Sequence, residues 1–362
     1  MAERVSIGRA IVDNRPDVYT EALLSQLKAT VARFSPEAGD DVFYLTVFDY
    51  WLYGFTADEE FYLGLVDKTS DEKERYMSHM GRLNYMMHLN TREGEHLLRD
   101  KWMTYKLLHE HYGREVECVQ SPDDFPKFEA FCSRHPVFVA KPRGGAISLG
   151  VQLVEVGERE DAKSAFERLL QEMGVVASNT GWIHEEGMLI EEPFRQGAEL
   201  SRYHEPSINS VRLTTLRTPD GIHIFYPVLR IGKSGNFLCC GAVGSILTGI
   251  NLDIGVTETV GRNELGERFE THPDSGYPIA GIEIPEWETL CEKAIALAGL
   301  FPNLGYIGWD FVWNDEGKWC VMEANENGEF LGQIAYQSGL KSEFEDLIGW
   351  KPESSTWWKG RY

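Results

Sequence analysis

From Gly308 to Asn325 the chain reads G-W-D-F-V-W-N-D-E-G-K-W-C-V-M-E-A-N, and this stretch limits the fold more than any other. Two aromatic-rich runs, 307–313 and 318–323, flank the turn sequence Asn314-Asp315-Glu316-Gly317, the pattern of a β-hairpin. Residues two apart on a strand face the same side, so Glu323 and Asn325 share a face and pairing brings Asp310 beside them. Three converging oxygen ligands suit one or two Mg²⁺ ions, which take carboxylates together with nucleotide phosphates. The plainer reading is an acidic hairpin turned to solvent.

Three other segments carry chemistry. In F-V-A-K-P-R-G-G-A-I-S-L-G-V (138–151), Lys141 ends an apolar strand, poorly placed for a core and well placed to reach a phosphate. Gly144, Gly145 and Gly150 let backbone N–H groups approach phosphates, and Ser148 adds a hydroxyl. Neither a Walker A loop nor G-x-G-x-x-G after a strand is present, and a simple glycine hairpin competes with the phosphate reading. In M-L-I-E-E-P-F-R-Q-G-A-E-L (188–200), an apolar strand ends at Glu191-Glu192. Glu191 could accept from an adenine amino group, the Phe194 N–H could donate to the ring, and Glu199 could reach ribose hydroxyls; an ordinary strand end with solvated acids is the alternative. In S-I-N-S-V-R-L-T-T-L (207–216), Ser210, Arg212 and Thr214 share one strand face and Val211 and Leu213 the other. Arg212, anchored by a core behind it, can stabilise developing phosphoryl or tetrahedral negative charge, or serve as a surface ion-pair partner.

The remaining pattern divides the chain. Helical periodicity covers 17–34, 71–89 and a helix capped by Asp100 that carries Lys101, Tyr105 and Leu108. Segment 42–55 is the most hydrophobic, but Asp49 interrupts it. It is shorter than the ~20 apolar residues of a membrane span, so a buried element is expected. Strands at 115–119, 137–141, 151–156 and 188–191 alternate with helices opened by Ser121-Pro122 and at 161–173, as in a small α/β lid. Strands 210–216 and 223–229 form a hairpin across Thr218-Pro219-Asp220-Gly221, followed by helices at 285–298 and 340–348. The divisions expected are 1–114, mainly helical; 115–195, a lid; and 196–362, which holds the second hairpin.

The 57 acidic and 35 basic residues give a formal charge of −22. Such a surface repels phosphate backbones and anionic lipid, so neither nucleic acid nor membrane is an expected partner. Six cysteines show no C-x-x-C or zinc spacing, which points to a reduced, cytoplasmic setting; residues 1–9 lack the apolar run of a signal peptide. Cys239 and Cys240 are expected to be buried. Trp357-Trp358 suggests a contact between copies, hence a homodimer.

The order of these parts resembles the ATP-grasp superfamily: a strand lysine, a glycine loop, a Glu-Glu-x-Phe hinge, a strand arginine, then Asp…Glu-x-Asn on a hairpin. The closer resemblance is to the sugar-transfer-associated family, related to α-L-glutamate ligases. It rests on D-Y-W-L-Y-G-F-T-A-D-E-E-F (49–61), L-R-D-K-W-M-T-Y-K (98–106), I-E-E-P-F (190–194) and H-E-P-S-I-N-S-V-R-L-T-T-L (204–216), within about residues 40–335. That resemblance implies an α+β, ATP-grasp fold, two α+β subdomains clasping ATP, here after a mainly helical N-terminal region. It assigns ATP phosphates to Lys101 and Lys141 under the loop 144–150, adenosine to Glu191, Glu192, Phe194 and Glu199, and Mg²⁺ to Asp310, Glu323 and Asn325. Arg212 would meet the acyl-phosphate end.

The activity implied is carboxylate–amine ligation through an acyl phosphate, giving an amide. The expected substrates are a small-molecule carboxylate (an amino acid, peptide or uronic-acid sugar) and an amine. Arg230 and Lys233 are candidates for holding the substrate carboxylate. A kinase acting on a small-molecule hydroxyl and a non-catalytic nucleotide-binding protein are the rival readings.

Overall fold

The computed structural model describes residues 1–37, 39–145, 148–180 and 187–353, with the side chains of 175–180 and Ala242 left aside. The first third is helical: α1 (Ala2–Asn14), α2 (Glu21–Phe34), α3 (Asp40–Tyr53), α4 (Ala57–Tyr62), α5 (Ser70–Lys73), α6 (His79–Leu89), α7 (Arg92–Arg99) and α8 (Lys101–Leu108). Helix α1 was not anticipated. It packs on α3 so closely that a Cβ at Gly8 would sit 1.9 Å from the Tyr44 carbonyl oxygen. The expected helix from 17 starts only at Glu21, because Thr20 caps it through the Leu23 N–H and the Asp17 carboxylate is held by Arg15. The expected helix 71–89 is two helices. Thr69 and Glu72 form a capping box for α5, and Ser78 caps α6 through the Gly81 N–H, so the intervening chain leaves the helical path.

Helix α3 is the hydrophobic segment, and its Asp49 does not face solvent. Lys73 pairs with Asp49 and lies 2.9 Å from Glu60, and all three side chains are fully buried. Burial raises the pKa of both carboxyls, Glu60 to about 8, against the pull of Lys73. This ion cluster joins α3, α4 and α5 inside the helical region.

Past α8, β1 (Val116–Val119), α9 (Phe125–Arg134), β2 (Val137–Pro142), β3 (Gln152–Glu155), α10 (Ala162–Thr180) and β4 (Met188–Glu191) make an antiparallel sheet of order β1-β4-β2-β3. Phe128 and Phe131 of α9 and Phe166 and Leu169 of α10 cover one face, packed with Phe138 and Ile190.

A short helix α11 (Ala198–Ser201) precedes the larger sheet. Its strands are β5 (Ser210–Thr218), β6 (Gly221–Ile231), β7 (Ile246–Asn251), β8 (Val256–Thr257), β9 (Gly261–Arg262), β10 (Arg268–Phe269), β11 (Tyr306–Trp313) and β12 (Trp319–Asn325). They run antiparallel in the order β10-β9-β7-β6-β5-β11-β12, with β8 paired to β7. Both expected hairpins are present: β5–β6 and β11–β12, the second closed by Asn314, whose side chain accepts from the Lys318 N–H at 2.8 Å. Helix α12 (Trp287–Gly299) presses Leu290, Ala294 and Leu297 on one face, against Leu213, Trp309, Phe311 and Val321. The opposite face is partly covered by α13 (Leu331–Tyr336) and α14 (Lys341–Ile348), with Phe55, Leu63 and Tyr85 from the helical region. Cys239 and Cys240 are only partly buried, contrary to expectation, because they lie in the connection before β7 and not on a strand. No helix among the described residues is long and apolar enough to cross a membrane. Trp357 and Trp358 lie outside the described residues.

Lys73→Met should cost about 3–5 kcal/mol, because it leaves the buried Asp49 and Glu60 carboxyls without their shared partner. Replacing all three residues with apolar ones (Asp49→Leu, Glu60→Leu, Lys73→Met) should recover most of that loss. Urea denaturation of the two variants checks both statements.

Candidate active site

Cross-strand register builds the site. Arg212 on β5 stands opposite Asp310 on β11, and Asp310 opposite Glu323 on β12. Directly opposed residues share a face, so the three line up across the sheet, away from the Leu213–Trp309 core. Arg212 donates to both Asp310 oxygens, at 2.7 and 2.8 Å, while Arg230 approaches to 3.7 Å and the Asn325 amide to 3.4 Å. Burial would raise the Asp310 pKa, yet Arg212 and Arg230 hold it below the usual carboxylate range. Glycine at 328 keeps this row open, since a Cβ there would come within 3.1 Å of Arg212 Nη1. Asp310, Glu323 and Asn325 thus stand together as their spacing predicts.

Lys101, the first residue of α8, reaches the row's far end, 3.2 Å from Glu323. Its ammonium also donates to the Gly145 carbonyl, and its N–H donates to the Arg143 carbonyl at 3.2 Å. Asp100, which caps α8, binds Arg143 through both carboxylate oxygens. The glycine loop is therefore fastened to α8 at 143–145. Gly145 and Ser148 both take positive φ, 108° and 56°. Gly144 is buried beside them, and residues 146–147 of this loop lie outside the described residues.

Between the two sheets lies a pocket of ≈ 240 Å³ lined by Lys101, Tyr112, Lys141, Glu191, Met322 and Glu323, among others. Lys141 sits 2.5 Å from Glu191. Arg114, which the sequence reading missed, donates to the other Glu191 oxygen at 3.0 Å and to the Val321 and Met322 carbonyls of β12. Burial works to protonate Glu191, but Arg114 and Lys141 outweigh it and hold its pKa at about 2. The Glu191 carboxylate is thus committed to two cations. Glu191 closes β4, as its place in the sequence predicts, but its side chain turns inward to Arg114 and Lys141 instead of standing as a solvated acid.

The segment after β4 runs along the tip of the β11–β12 hairpin, joined by the Gly197 N–H to the Trp313 carbonyl and the Asp315 N–H to the Arg195 carbonyl. Here Glu199 accepts from the Trp313 indole at 3.0 Å, Glu192 accepts from the Glu115 N–H at 3.3 Å, and Phe194 is half-buried. These residues are apart from the Arg212–Asp310 row. Lys233 pairs with Glu267 at 2.9 Å rather than joining Arg230 at Asp310. Arg114 carries no motif: it stands alone before a strand, and only its reach to two sheets distinguishes it.

The Asp310 and Glu323 carboxylates, paired across β11 and β12 with the Asn325 side chain beside them, are the kind of oxygen donors a hard divalent cation takes. Each Asp310 oxygen accepts one Arg212 hydrogen bond and retains further lone-pair capacity.

Because Glu191 titrates at about 2 when folded and at its usual 4.5 otherwise, its pairing stabilises above pH 4.5 and is lost as pH falls toward 2. Arg114→Met should therefore destabilise by about 3–5 kcal/mol at pH 7, and by markedly less at pH 3. Urea melts at the two pH values measure the difference.

The family model described as sugar-transfer associated ATP-grasp matches residues 81–347. No curated protein matches the sequence. Among solved structures, the chain is similar to the ATP-grasp ligase PsnB complexed with minimal precursor, at 12% identity over 72% of this chain and 63% of that one, TM-score 0.41. D-alanine–D-alanine ligase from Helicobacter pylori aligns at 16% identity over 76% and 68%, TM-score 0.43. N5-carboxyaminoimidazole synthase from Aspergillus clavatus, in complex with ADP and its ribonucleotide ligand, aligns at 7% identity over 78% and 60%, TM-score 0.43. The chain spans less than two thirds of the length of the first and third of these. With the family match covering well over half of its residues, the chain belongs to the sugar-transfer associated ATP-grasp family.

Proposed function

We propose that the protein is an ATP-dependent carboxylate–amine ligase, working with Mg²⁺ and passing through an acyl phosphate. The observation that carries this reading is the placement of Lys101 and Lys141 in one pocket with Glu323, which begins the Arg212–Asp310 row. Cations on one side and hard oxygen ligands on the other are what a triphosphate with its metal requires.

In this reading Lys101 and Lys141 hold phosphate oxygens, Gly144, Gly145 and Ser148 lie over them, and Glu192, Phe194 and Glu199 hold the adenosine end. Asp310, Glu323 and Asn325 hold Mg²⁺, which would screen the phosphate charges and polarise the transferred group. Arg212 is 11% exposed and fixed by its bidentate pair, so its guanidinium is preorganised toward negative charge that develops beside it. Arg230, close to Asp310 but bound less tightly, orients the substrate carboxylate for attack on the γ-phosphorus. The resulting acyl phosphate is attacked by an amine, which releases phosphate and forms the amide. The loop, fastened to α8 at 143–145, would shield that intermediate from water.

The test is ADP release with Mg²⁺-ATP across paired carboxylates and amines, with product mass measured. Pair-dependent release with a new amide is expected, and Lys141→Ala and Glu323→Ala should each lower the rate by roughly 100-fold or more. A phosphorylated hydroxyl product would replace the ligase with a kinase.

A further inference from the structure

A second pocket, of ≈ 320 Å³, opens where α4 and α6 of the helical region meet the segment leading from β12 into α13. It is lined by Tyr62, His79, Arg82, Glu329, Phe330 and Ile334, among others. Glu329 and Phe330 also line a neighbouring pocket that contains Arg212.

The charges in it are incompletely matched. The Arg82 side chain is 8% exposed, and its Nε–H has no hydrogen-bond partner. A buried guanidinium N–H without an acceptor is costly unless something supplies one. Arg82 Nη1 lies 3.5 Å from Glu329, whose side chain remains 45% exposed. Glu264 faces the same electrostatic neighbourhood. It makes no hydrogen bond or ion pair with any described residue, and burial together with Glu329 pushes its pKa up to about 7, against Arg230 and Arg212. Gln333 is not available to a ligand, because its amide is spent on both backbone groups of Met77.

We propose that this pocket is the amine-substrate site and that it takes an α-amino acid, with Arg82 on the carboxylate and Glu329 on the ammonium. The inference rests on the ligase reading and names its second substrate. The ammonium and carboxylate of an α-amino acid are separated by one carbon, and Arg82 and Glu329 are neighbours of opposite sign. A guanidinium binds a carboxylate in a planar, charge-assisted pair, and a half-exposed glutamate binds an ammonium without a large desolvation cost. Tyr62, Phe330 and Ile334 bound the space left for a small side chain. The helical region thus supplies the acceptor site, and the sheet supplies the phosphate chemistry.

The test is calorimetric titration of the full chain with each proteinogenic L-amino acid and with the corresponding decarboxylated amine, in the presence and absence of a non-hydrolysable ATP analogue. At least one L-amino acid should bind, and its decarboxylated amine should bind roughly 10- to 100-fold more weakly. Arg82→Gln and Glu329→Gln should each weaken the amino acid by a similar factor, with ATP-analogue affinity within about twofold of wild type. Glu329→Gln alters a half-exposed side chain, so it reads the site even where Arg82→Gln unfolds. Equal affinity for amine and amino acid, binding of none of the amino acids, or unchanged affinity in Glu329→Gln would overturn the proposal. Ligation of an amine that has no carboxylate would leave the ligase standing and remove this inference. Arg82-dependent amino-acid binding without ATP-analogue binding would do the reverse.

Discussion

Glu191 is the point on which the two sheets depend. It leaves the smaller sheet on β4 and enters a space that water does not reach, so its charge needs partners inside the protein. Lys141 comes from the same sheet, whereas Arg114 is also bonded to the backbone of β12 in the larger one. One carboxylate therefore gives the two layers a common cationic neighbour. A buried ion pair contributes little net stability by itself, but leaving it half-formed is expensive, and this favours the one arrangement in which all three groups meet. The pocket between the sheets lies directly on this arrangement.

The same logic operates at the site's other end with a different result. The Arg212–Asp310 pair is nearly as buried, but its partners are arranged along neighbouring strands, with Glu323 opposite Asp310 and Asn325 beside it. Overall, the chain carries 57 acidic residues against 35 basic ones. Five of the basic residues, Lys101, Lys141, Arg114, Arg212 and Arg230, lie in or beside these clusters.

Much of this was legible because strand periodicity is strict. Placing Val211 and Leu213 in the core necessarily turns Arg212 to the other face, and the turn Asn314–Gly317 sets Asp310 beside Glu323. Sequence order sufficed for those contacts. It failed where partners are far apart along the chain. Glu191 could be read as a solvated acid because neither Arg114 nor its reach to β12 can be seen from local pattern. Within the helical region, read as helical from the start, two details escaped for a different reason: capping by Thr69 and Ser78 overrode a continuous apolar stripe, and the Lys73 cluster made Asp49 a core residue. Arg82 and Glu329 are separated by most of the chain, and no motif announced that they would meet.

The row Arg212–Asp310–Glu323 has one further consequence. Its members sit on three adjacent strands, so their spacing is set by the backbone ladder, at about 4.8 Å per strand. Across two intervals this gives a ruler of about 10 Å that no side chain maintains. Substitution along the row can change charge, ligand strength or acceptor preference while the graduation marks stay where they are. The distance from one end of the row to the other is thus a property of β-structure itself, and new side-chain chemistry can be written along it without moving the scale.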